Sequence, residues 1–101
     1  MSTDSRGKRL VNPELWGDLM GIIRMQGYLS EGKNHLGVHS IFDGSGYYSA
    51  EIRVTVVGGD IRDIYIYPQV DNPQGAHHHL FVDSQSGEWM MMYASSKTDW
   101  R

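Results

Sequence analysis

The 101-residue chain carries a formal charge of −3, with 40% hydrophobic and 21% charged residues, the balance of a folded domain and not of a disordered chain. Its mild acidity argues against broad electrostatic capture of nucleic acid, and the absence of cysteine removes disulfides, thiolate zinc sites and a cysteine nucleophile. The first ten residues lack the apolar stretch of a signal peptide, and no run approaches the ~20 apolar residues that cross a bilayer, so a cytoplasmic, membrane-free protein is expected.

Residues 1–11 read as an N-terminal arm, with Arg6, Lys8 and Arg9 as a short, solvated basic cluster. Asn12-Pro13-Glu14 then supplies three helix-start signals: a capping side chain, proline at the first helical position and a carboxylate in the first turn. Leu15, Trp16, Leu19, Met20, Ile22 and Ile23 fall on one broad face at ~100° per residue, and Gly27 marks the stop. Gly17 and Gly21 lie on the opposite side. They are either tolerated there or mark a close approach by another backbone, as in an oligomer.

Beyond Ser30-Glu31-Gly32-Lys33-Asn34 the periodicity changes from helical to alternating. Strands are expected near 36–42, 47–57, 61–67, 77–83 and 88–94, separated by turns at 43–46, 58–60 and 84–87 that contain the glycines hairpins require. The 68–76 segment, with two prolines and a glycine, is the expected mobile loop, and 95–101 is a C-terminal tail. The fold class is therefore α+β: one N-terminal helix packed on an antiparallel β-meander of about five strands, a single domain over 12–94. Cystatin-like and microbial-ribonuclease-like folds share this element order.

Register follows from keeping aliphatics together. A three-residue Gly58-Gly59-Asp60 loop would pair Val57 with Ile61, Val54 with Ile64 and Ile52 with Ile66, and a slip by one would reverse every side chain. The same logic sets Leu36, Val38 and Phe42 against Val54, Ile52 and Tyr48. The core face then adds Ala50, Val56, Leu80, Val82, Trp89 and Met91.

The run Gly75-Ala76-His77-His78-His79-Leu80-Phe81-Val82-Asp83 places three imidazoles in a strand. Alternation sends His77, His79, Phe81 and Asp83 to one face and His78, Leu80 and Val82 to the other, which is the better core candidate. The outer face collects His39, Glu51, Arg53, Thr55, Asp63, Tyr65, Tyr67, His77, His79, Phe81, Met90 and Met92, with His39 opposite Glu51 and Arg53 opposite Tyr65. Tyrosine, arginine, histidine and methionine are types that supply binding energy at interfaces. The leading expectation is a small non-enzymatic, inhibitor-type binding protein, such as an immunity or phage-type antagonist. It would engage a protein partner through Arg53, Tyr65, Tyr67, His77, His79, Phe81 and the 68–76 loop.

Other readings use the same residues. The strand order His39, Glu51, Arg53, His79 resembles the His–Glu–Arg–His order of microbial endoribonucleases in residue type and strand order only. That resemblance implies metal-independent RNA cleavage with a carboxylate or histidine base, an arginine on the phosphate and a histidine acid. Tyrosines at the sheet edge or between subunits could instead stack on a small ligand or nucleotide. A metal would draw on His77 and His79, with His39 or Asp83 to complete the shell, but no third ligand stands at diagnostic spacing. No cofactor is expected, nucleic acid is a less favoured partner than protein, and a homo-oligomer fits the tail and helix glycines.

Overall fold

The computed structural model describes residues 8–68 and 76–94, so most of the 68–76 loop and the whole 95–101 tail lie outside the described residues. One helix packs on a six-stranded antiparallel sheet. The elements are β1 (Arg9–Leu10), α1 (Pro13–Gln26), β2 (Gly32–Phe42), β3 (Tyr47–Val57), β4 (Asp60–Tyr67), β5 (His77–Val82) and β6 (Trp89–Ala94), in the sheet order β1-β6-β5-β4-β3-β2. The α+β meander is as the sequence reads, with a sixth strand: Arg9 and Leu10, read as part of the arm, pair with Met91 and Met90.

The helix begins as its residues dictate. Asn12 Oδ1 accepts from the Glu14 and Leu15 amides at 2.7 and 3.3 Å, and Pro13 occupies the first turn, where its missing N–H costs nothing. Gly27 caps the other end, its N–H donating to the Arg24 carbonyl. Leu15, Leu19 and Ile23 are buried against Ile41, Ala50, Ile52, Val54, Ile64, Ile66, Leu80 and Met91. Along the same helix the Asp18 carboxylate accepts from Phe42 N on β2 at 3.0 Å, while Trp16 meets Trp89 on β6 with ring centroids 5.0 Å apart. In a flat sheet β2 and β6 would be four spacings apart, ~19 Å. A helix of ~10–12 Å diameter meets both flanks through its side chains, Asp18 on one and Trp16 on the other.

Two registers depart from strict alternation, each through a β-bulge. Gly58 and Gly59, both at positive φ, make a two-residue turn pairing Val57 with Asp60 and Val56 with Ile61, in place of the expected three-residue loop. The shift beyond Thr55 leaves Arg62 as the extra residue and restores Val54–Ile64 and Ile52–Ile66 as expected. The Glu31 carboxylate accepts from the Gly58 and Gly59 amides and holds this turn.

The second bulge falls between His35 and Gly37, where Gly37 has φ +87. It keeps Leu36 in the core but reverses everything after it. Ile41 is fully buried where Phe42 was expected, Val38 is 54% exposed, and Phe42 turns outward to pack on Tyr47 at 4.9 Å. Val82, also expected inside, is 42% exposed because it lies at the last pairing before the 83–88 turn.

The glycines give a test of opposite signs. A Cβ at Gly17 or Gly21 would meet nothing within 4 Å, so Gly17→Ala and Gly21→Ala should each raise the unfolding free energy by about 1 kcal/mol through helix propensity. Gly37→Ala has equal room but the wrong backbone conformation, and should lower stability by about 1–3 kcal/mol. Urea titration of the three variants checks both signs.

Candidate functional site

The outer face of the sheet is a ladder of cross-strand neighbours. One row runs His35, Arg53, Tyr65, His79 and Met92 across five strands; the next runs Lys33, Thr55, Asp63, Phe81, Met90 and Leu10. A third holds Val38, Glu51 and Tyr67. Residues that face one another across antiparallel strands have Cβ atoms ~5 Å apart, close enough for rings to stack. Tyr65 and His79 stack with centroids 4.6 Å apart and planes within 1°, and Tyr67 and His77 stack at 4.6 Å and 27°. Phe81 adjoins His79 at 5.1 Å, and the Arg53 guanidinium lies 4.8 Å from the Tyr67 ring centre, a cation–π contact.

Two carboxylates hold the polar edges of this array. Glu51 Oε2 is 3.5 Å from both Arg53 Nε and His35 Nδ1. Asp63 bonds His79 Nε2 at 2.8 Å through Oδ1 and accepts from Arg62 Nε at 2.9 Å through Oδ2. Burial would push the Asp63 carboxyl up, but the hydrogen bonds from His79 and Arg62, with their charges, outweigh it and hold the group below its ordinary value.

Of the residues singled out in the sequence, Arg53, Tyr65, Tyr67, His77, His79 and Phe81 share this face, and Arg53 lies opposite Tyr65 as expected. They do not contribute equally. Tyr67 is 2% exposed and His77 fully buried, so both support their neighbours and offer little surface, whereas the His79 side chain is 29% exposed. His39 is a correction. The Gly37 bulge puts it opposite Ala50 on the helix side, where Nε2 lies 2.9 Å from the Leu36 carbonyl, and Val38 stands opposite Glu51. The alternative catalytic set His39, Glu51, Arg53 and His79 therefore does not assemble on one face. His35 is the histidine beside Glu51, and Gly37, an isolated glycine within a strand pattern, was the signal for it.

The metal candidates do not converge either. Asp83 bonds Lys8 Nζ at 3.1 Å and accepts from Ser86 N within its turn, and among the described residues no group of three His, Asp or Glu side chains could hold an ion. Among the described residues no helix is long and apolar enough to cross a membrane. Comparison with family models, curated proteins and solved structures returns no match for this chain.

Asp63→Asn tests the polar edge of the array. Loss of a charge-assisted hydrogen bond, part-screened by solvent, should cost about 1 kcal/mol at neutral pH. Because the folded-state value of Asp63 lies below its unfolded value, its contribution is complete above the ordinary 3.8 and is lost as pH falls through the lower folded value. Urea titrations of both proteins should show a stability gap that is constant near neutrality and closes below about pH 4.

Proposed function

We propose that this is a small binding protein that recognises a protein partner through the outer face of its sheet, with Arg53, Tyr65, His79 and Phe81 at the centre. The observation that carries the reading is the locked ring array. Tyr65 and His79 are stacked flat on one another, flanked on the same face by the buried pair Tyr67 and His77, and only part-buried themselves. Rings already held in one conformation lose little entropy when a partner covers them, which is the property of an interface anchor. The hydrophobic core on the other side is complete without them. Arg62 and His35, exposed beside Asp63 and Glu51, have the polar character of an interface rim.

The inhibitor-type reading follows from small size joined to such a surface. A ribonuclease role is supported less, because only Glu51, Arg53 and His79 of its four residues share the face. Wild-type protein immobilised against host lysate should capture a partner that Tyr65→Ala and His79→Ala each lose by about tenfold or more, as anchor residues do. Gln26→Ala, at the exposed end of the helix, should capture it unchanged. Equal capture by all four proteins would remove the face from recognition. RNA cleavage in EDTA that disappears with His79→Ala would replace binding with catalysis.

A further inference from the structure

The sheet ends in an open edge at β2, which pairs with β3 on one side and, among the described residues, with no strand on the other. An edge of 11 residues presents backbone donors and acceptors that another strand can use, and proteins guard such edges with charge, proline or a bulge. The first part of β2 is guarded by Lys33 and by the bulge at Leu36. From Gly37 to Phe42 there is no lysine, arginine, carboxylate or proline, and Gly37, Val38 and Ser40 are exposed.

The direction of the backbone groups in this segment follows from the turn beside it. Asp43 N donates to the Gly46 carbonyl at 3.2 Å, which makes 43 and 46 a hydrogen-bonded pair. Hydrogen-bonded and non-hydrogen-bonded pairs alternate along the unbroken register from Phe42–Tyr47 to Gly37–Ile52. Ile41 and His39 therefore turn their N–H and C=O groups toward β3, while Phe42, Ser40 and Val38 turn theirs to the open edge. Phe42 agrees: its N–H donates away from β3, to the Asp18 carboxylate of the helix at 3.0 Å. At the other end the bulge breaks the ladder at Leu36, whose carbonyl lies 2.9 Å from His39 Nε2. Between these two closed ends the edge offers the N–H and C=O of Val38 and of Ser40.

We propose that a second copy of this chain occupies the edge. Two β2 strands pair antiparallel about a two-fold axis at His39, so that Val38 exchanges N–H···O=C bonds with Ser40 of the second copy, and Ser40 with Val38 of the second copy. Two outward residues, each with one donor and one acceptor, are self-complementary in this arrangement, as an isologous contact requires. The flanking charges favour the same direction. Lys33 precedes the open segment and Asp43 follows it, so antiparallel strands run the basic end of one beside the acidic end of the other, whereas parallel strands would set like charges together. The axis stands perpendicular to the sheet. The outer faces of both copies thus continue one another, uncovered, and the dimer presents two ring arrays to a partner on one side.

The test joins sedimentation velocity to amide hydrogen exchange read by NMR, both on the full chain. Sedimentation should pass from monomer toward dimer between about 10 μM and about 1 mM. Over the same range the Val38 and Ser40 amides should slow in exchange by about tenfold or more, while those of His39 and Ile41, bonded to β3, are protected throughout. Ser40→Pro removes one outward N–H without touching the bonds to β3, and Ser40→Lys keeps that N–H but sets a charge on the seam. Both variants should remain monomeric at about 1 mM, and the lysine variant decides the matter if the proline variant does not fold. Three results would overturn the proposal: a monomer at every concentration, a dimer in which Val38 and Ser40 exchange freely, or a folded Ser40→Lys protein that dimerises like wild type. Protection of Val38 and Ser40 already in the dilute monomer, or only after a captured protein partner is added, would give the edge to another occupant and overturn it as well.

Discussion

A single helix has to cover one whole face of a six-stranded sheet, and the rest of the molecule follows from that mismatch. Flat, the sheet would be ~24 Å wide, about twice the diameter of the helix. The helix spans that width by sending side chains to both flanks, Trp16 to Trp89 on β6 and Asp18 to the Phe42 amide on β2, while Leu15, Leu19 and Ile23 are buried between them. The inner face is a core of Ile, Val and Leu. Over the outer face lies no described element.

On that outer face, side chains reduce their exposure by packing against cross-strand neighbours. Tyrosine and histidine suit the task because a planar ring standing on one strand can lie flat against the ring beside it. The pairs Tyr65–His79 and Tyr67–His77 do this, and Arg53 extends the stack. The outcome is a second, thinner layer of order in which one stacked pair, Tyr67–His77, is buried and the neighbouring pair, Tyr65–His79, remains accessible. A surface of that kind is rigid before any partner arrives, and this is why the recognition reading rests on ring geometry and not on composition alone.

Glycine decides which histidines take part. In β2 one residue at φ +87 inserts a bulge, and from there to the end of the strand every side chain changes sides. His35, before the bulge, stays with Glu51 on the outer face; His39, after it, is carried to the helix side. The inner face brings Arg9, Asp43 and His78, distant in sequence, to the lining of one cavity.

Much of the fold was legible in the residues because it depends on local chemistry. The Asn12-Pro13 start, the Gly27 stop, the positions of the hairpin turns and the inward direction of Leu80 each follow from a few neighbouring side chains. The outward direction of His79 does too. What the chain order could not settle was anything requiring distant strands to be compared: the pairing of Arg9 and Leu10 with β6, the side on which His39 falls, and the burial of His77 and Tyr67. Alternation assigns a residue to a face only until the first bulge, and burial on a face depends on neighbours from other strands. Those relations exist only after the sheet has paired, so tertiary structure alone decided them.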